Sequence, residues 1–108
     1  MREKEIEALL RDGVKRLGGT AYKFTSPGNS GVPDRLVVFR DRVPIFVELK
    51  TKAGRLTELQ EVQIERLHSL GQDVQVLYGK DDVLKFLSLQ ETLQKIMDDL
   101  SGGGDGAI

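Results

Sequence analysis

The strongest constraint on the fold is a pair of short apolar runs tied closely together. Leu36-Val-Val-Phe39 and Pro44-Ile-Phe-Val-Glu-Leu-Lys50 are separated only by Arg40-Asp-Arg-Val43. β-Branched and aromatic residues at this density favour strands, and so short a connection makes the two strands an antiparallel hairpin. Side chains alternate along a strand, so Ile45, Val47 and Leu49 share one face while Phe46, Glu48 and Lys50 share the other. The first set is a core face. The second presents a carboxylate and an ammonium roughly 6–7 Å apart along the chain. With the turn centred between Asp41 and Arg42, Asp34 is expected opposite Leu49, give or take a residue, beside both Glu48 and Lys50.

The elements around this hairpin follow from periodicity and breakers. Ile6, Leu9, Leu10, Val14 and Leu17 make one apolar stripe of a helix over Glu3–Leu17, which Gly18-Gly19 ends. Thr20–Phe24 is rich in strand formers, and residues 25–33 (TSPGNSGVP) are turn chemistry throughout. A second helix is expected from Thr57 to Leu70, offering Leu59, Val62, Leu67 and Leu70 to the core, with Gly71 at its stop. Asp73–Tyr78 alternates as a strand. Asp81 or Asp82 then caps a helix carrying Val83, Leu84, Phe86 and Leu87, and Gln90–Leu100 forms a further helix. The order α-β-β-β-α-β-α is that of an α/β domain, a mixed β-sheet flanked by helices. Residues 1–100 are expected to form a single domain, and 101–108 (SGGGDGAI) a flexible Gly-rich tail.

Composition removes several chemistries. A chain of 108 residues without cysteine has no disulfide scaffold, thiolate metal site or cysteine nucleophile. His68 is the one histidine, near a helix C-terminus, and is assigned no catalytic role. No apolar run approaches a membrane span, and the N-terminus reads MREKEIE, so a soluble cytoplasmic protein is expected, with no membrane partner. The net charge of −1 hides an asymmetry: residues 1–52 sum to +4 and residues 53–108 to −5. Arg11, Lys15, Arg16, Arg40 and Arg42 in the basic half are candidates for a DNA-binding face.

Two carboxylates at one end of a hairpin repel each other unless a cation lies between them. Carboxylate and carbonyl oxygens suit Mg²⁺ or Mn²⁺ rather than Zn²⁺. Such a site, with a lysine beside it, is equipment for phosphoryl chemistry. Two other readings of the same residues stand beside this one. Glu48 and Lys50 also fit the solvated face of an edge strand. Thr57-Glu-Leu-Gln60 fits a capping box, a role that competes with any other use of the Gln60 side chain.

Pro33-Asp34 followed by Glu48-Leu49-Lys50 resembles the PD-(D/E)XK nuclease signature. Ser26-Pro-Gly, Gly31-Val-Pro-Asp-Arg-Leu36, Phe46-Val-Glu-Leu-Lys50 and Leu56-Thr-x-x-Gln60 more closely resemble the virus-type replication-repair nuclease (VRR-NUC) family, over roughly residues 1–85. The small phage-encoded members fit best, through Ile6-Glu7, Gly18-Gly19 and Leu70-Gly71. The resemblance implies a restriction-endonuclease-like fold and a Mg²⁺- or Mn²⁺-dependent DNA endonuclease. Asp34, Glu48 and the Leu49 backbone carbonyl would bind the metal, assisted by a first-helix carboxylate, Glu7 in preference to Glu3. Lys50 would position the attacking water, and Gln60 would support Lys50 or contact a phosphate. It further implies a homodimer acting on branched DNA such as four-way junctions, in the host cytoplasm if phage-encoded. Phe86, Leu87, Leu93 and Ile96 are the candidates for the dimer interface or for completing the core. Competing functions are a non-catalytic DNA-binding module on the same fold and an acidic protein-interaction domain.

Overall fold

In the computed structural model, which describes residues 1–106, the order is α1 (Glu3–Arg16), β1 (Thr20–Lys23), β2 (Arg35–Val38), β3 (Ile45–Lys50), α2 (Glu58–Ser69), β4 (Asp73–Tyr78) and α3 (Gly79–Gly106). The expected α-β-β-β-α-β-α order is present. α1 stops where its sequence breaks: Gly18 takes φ +86°, Gly18 N–H donates to Lys15 O at 3.0 Å, and Gly19 N–H to Val14 O at 2.9 Å. That is a Schellman motif, which a side chain at Gly18 would strain. The same pair of hydrogen bonds closes α2, from Gly71 to His68 and from Gln72 to Leu67.

The four strands form one sheet in the order β1-β2-β3-β4, the first two pairings antiparallel and β3–β4 parallel. The helix between β3 and β4 makes the parallel pairing possible, since parallel neighbours need a long crossover. β3 is therefore an interior strand, and the edge-strand reading of Glu48 and Lys50 does not hold. The hairpin pairs Arg35 with Val47, Leu36 with Phe46 and Val37 with Ile45. Carried one step further, this places Asp34 opposite Glu48 rather than Leu49, a shift of one residue.

α1 and α3 pack together on one face of the sheet. Ile6, Leu10 and Val14 of α1 meet Val37, Val47 and Leu49 of the sheet and Val83, Phe86 and Leu87 of α3. α2 lies on the opposite face, against β4, with Ile64 as its buried residue and Val74 buried on the strand. The expected core set of α2 is corrected here. Leu59, Val62 and Leu70 are exposed and Leu67 is half-buried, because the face that α2 turns to the sheet carries Gln60, Ile64 and His68, which meet Glu48 and Val74. The two expected C-terminal helices are one, since nothing between Val83 and Leu100 breaks the helix. It begins before Asp81 and Asp82, so neither is its N-cap; Asp82 instead accepts from Tyr78 N–H at 2.8 Å. Helical backbone continues through Gly106, and the end of the expected tail, residues 107–108, lies outside the described residues.

Candidate active site

β2 and β3 bring the predicted residues to one place. Pro33 is buried at the entry to β2, and Asp34 follows it with its backbone carbonyl accepting from Phe24 N–H at 2.8 Å. The Asp34 carboxylate turns toward β3, where its Oδ2 accepts from Leu49 N–H at 3.3 Å. A strand residue projects its N–H and C=O to the same side, so the Leu49 carbonyl also faces Asp34.

Glu48 is 2 % exposed, although alternation puts it on the face away from α1 and α3. α2 covers it: Gln60 Nε2 donates to Glu48 Oε2 at 3.2 Å. Lys50 Nζ reaches the same oxygen at 3.9 Å. Glu48 Oε1 is buried with no hydrogen-bond partner. Burial lifts the Glu48 carboxyl to about pKa 7, the neighbouring Asp34 charge adds to the rise, and Lys50 offsets part of it. An orphaned carboxylate oxygen beside a second carboxylate and a backbone carbonyl is a donor set that suits a hard cation. Among the described residues no three Asp, Glu or His side chains cluster in this way, so the carboxylate pair needs the carbonyl as its third protein ligand.

Gln60 resolves the competition expected for its side chain by dividing it. Its Oε1 accepts from Thr57 N–H at 2.9 Å while Thr57 Oγ1 accepts from Gln60 N–H at 3.1 Å, a complete capping box. The amide nitrogen remains free to hold Glu48. Its contact is thus with Glu48, and it supports Lys50 only through their shared oxygen. The 25–33 loop fixes the start of this helix: Gly31 has φ +92°, and a Cβ there would lie 2.5 Å from the Leu59 carbonyl. Only glycine fits. The sequence signal for this contact was the loop's Gly/Pro content, which does not say what the loop touches.

Glu7 stands apart from this group. Its carboxylate pairs at 3.7 Å with Arg35, a buried side chain that also donates to Ala21 O at 3.1 Å. Glu3, the alternative, is exposed. Arg40 and Arg42 lie in the hairpin turn, at the far end of the strands from Asp34 and Lys50, and the Arg42 guanidinium sits 4.3 Å over the Phe39 ring. Arg40 is exposed there, and Arg11, Lys15 and Arg16 are exposed on α1. His68 Nε2 lies 3.1 Å from Val74 O, a link between α2 and β4.

Comparison with known proteins agrees with this geometry. The model of the VRR-NUC domain matches residues 3–81. "Putative nuclease p44" of Acyrthosiphon pisum secondary endosymbiont phage 1 is 46% identical over 81 residues, which are 75% of this chain and 87% of the relative. A solved VRR-NUC domain superposes with TM-score 0.75 at 29% identity, covering 80% of this chain and 94% of that one. In fold alone, the chain is similar to the Archaeoglobus fulgidus Holliday junction resolvase Hjc, with TM-score 0.52, 18% identity, and coverage of 70% of this chain and 67% of that one. The mixed sheet with flanking helices is thus restriction-endonuclease-like, and the chain belongs to the VRR-NUC family.

Proposed function

We propose that the chain is a Mg²⁺- or Mn²⁺-dependent DNA endonuclease that hydrolyses phosphodiester bonds, selective for branched DNA such as four-way junctions. The observation that carries this reading is Glu48: a buried carboxylate with one oxygen unpartnered, facing Asp34, its other oxygen held by Gln60 and Lys50. A structural carboxylate at that depth would be fully hydrogen-bonded. Asp34, Glu48 and the Leu49 carbonyl would hold the cation, and Glu7 would assist only if released from Arg35. When bound, such a cation polarises a phosphate oxygen and lowers the pKa of a water. Lys50 orients the attacking water and stabilises charge gathering on the phosphate. Gln60 keeps the Glu48 carboxylate aimed at the metal position. Attack in line would leave a 5′-phosphate.

The partner in solution is proposed to be a second copy, with the work done in the host cytoplasm. No helix among the described residues is long and apolar enough to cross a membrane. Phe86 and Leu87 are core residues and leave the candidate interface, whereas Leu89, Leu93, Ile96 and Leu100 stay exposed along one stripe of α3. That stripe borders a cavity lined by Arg42 and Gln90, both of which carry buried polar atoms without partners. A two-fold dimer carries two sites, matching the two strands that resolution of a four-way junction must cut.

The test is a panel of labelled single-stranded, duplex, flap and four-way-junction DNA, incubated with Mg²⁺, Mn²⁺ or EDTA. Cutting is expected with either cation, fastest on branched DNA, and none in EDTA. A purified, folded protein that cuts none of the four substrates would remove the hydrolytic reading.

A further inference from the structure

α2 covers β4 and, through Gln60, Glu48 of β3, and the rest of that face carries an apolar surface that ends at the carboxylates. Tyr22, Leu36 and Phe46 stand side by side in register across β1, β2 and β3. The next row along the strands holds Asp34 and Glu48, with Phe24 bonded to Asp34 through its backbone. The Phe24 ring meets the Phe46 ring edge-on, with centroids 5.4 Å apart and planes at 74°. Tyr22, on the edge strand, is 57 % exposed. No acidic side chain other than the carboxylate pair interrupts this face, since the outward positions of β1 and β2 are Thr20, Tyr22, Leu36 and Val38.

We infer that this surface is a stacking platform for an unpaired nucleobase adjoining the cleaved phosphate. The inference rests on the nuclease reading and sharpens its substrate class to DNA whose base stack is interrupted at the cut. A phosphate seated at Asp34 and Glu48 is one strand row, roughly 6–7 Å, from the Tyr22–Leu36–Phe46 row, within reach of a single nucleotide's sugar and base. Aromatic faces next to a backbone site are how proteins hold single-stranded nucleic acid without reading its sequence. A base inside an intact duplex is paired and stacked on both sides, so only an unstacked one reaches Tyr22. A second copy is the competing occupant, and area argues against it. Apart from Tyr22 the platform residues are half-buried. What remains is smaller than the ~800 Å² per partner of a standard interface, whereas α3 presents its own apolar stripe elsewhere.

The experiment measures binding, so it does not depend on turnover. Fluorescence anisotropy with Ca²⁺ as the cation compares three probes: a duplex with a three-thymine bulge, the same bulge made abasic, and the fully paired duplex. The wild type is expected to bind the thymine bulge at least about fivefold more tightly than the abasic bulge. Tyr22→Ala is expected to abolish that difference, and Tyr22→Phe to retain it. Equal affinity of the wild type for the two bulges would overturn the platform, as would a Tyr22→Ala loss that is the same for both. So would light scattering that shows a wild-type dimer dissolved by Tyr22→Ala, which would give the face to a second copy. Failure to cut DNA in the substrate panel counts against hydrolysis alone and leaves this base preference measurable.

Discussion

At the level of single residues, the site turns on what burial does to Glu48. Its carboxyl is raised to about pKa 7 by desolvation and by Asp34, against an ordinary value of 4.5. A raised acid pKa means that the folded state holds the proton more tightly than the unfolded chain. The associated stability is present below the ordinary value and is lost as pH rises through about 7. At 1.36 kcal/mol per pKa unit, the loss is about 3 kcal/mol. Urea unfolding in EDTA is therefore expected to show a less stable protein at pH 8 than at pH 5, from this group. Glu48→Gln should recover about 1–3 kcal/mol at pH 8, because it keeps an acceptor for Gln60 and removes the charge. A Gln variant that is less stable than wild type at pH 8 would contradict this account. The convergence of Asp34, Glu48 and Lys50 was legible in the sequence because alternation and a four-residue turn suffice to place them. The burial of Glu48 was not. It depends on β4 and α2 closing over β3, which are contacts between distant parts of the chain.

Among the elements, α2 links stability to the site through its first turn. Thr57 and Gln60 satisfy backbone donors that the helix start would otherwise leave open, and Gln60 then spends its amide nitrogen on Glu48. Thr57→Ala should cost about 1 kcal/mol of stability and leave DNA cleavage within a few-fold of wild type. Gln60→Ala should cost a similar amount of stability but lower cleavage at least about tenfold, since Glu48 loses its hydrogen bond. Chemical denaturation and cleavage rates on both variants separate the two roles; equal activity losses would show that capping alone matters. The capping box was readable from Thr57 and Gln60 because it is local. The core face of α2 was not, because periodicity marks apolar positions and cannot say that the face turned to the sheet carries Gln60 and His68 beside Ile64. The merging of the last two helices has a plain cause: Gln90 was read as a boundary although no glycine or proline stands there.

Across the whole molecule, charge and apolar surface divide along the same lines. The +4 half carries α1 and the first three strands, and with them Asp34, Glu48 and Lys50, while the acidic surplus lies on α2 and α3. α3 directs its exposed Leu89, Leu93, Ile96 and Leu100 away from the core. Light scattering is expected to give twice the 12.0 kDa chain mass for the wild type, and the chain mass itself for a Leu93→Lys, Ile96→Lys double variant. A wild-type monomer at working concentration would leave the α3 stripe without a role.

The central claim is that Asp34, Glu48 and Lys50 make a hydrolytic centre. Its most direct test is the single-turnover cleavage rate, in Mg²⁺, of the best substrate from the DNA panel by wild type, Asp34→Ala and Lys50→Ala. Both variants should keep the wild-type circular dichroism spectrum and cut at least about 100-fold more slowly. Wild-type cleavage by either folded variant would contradict the account.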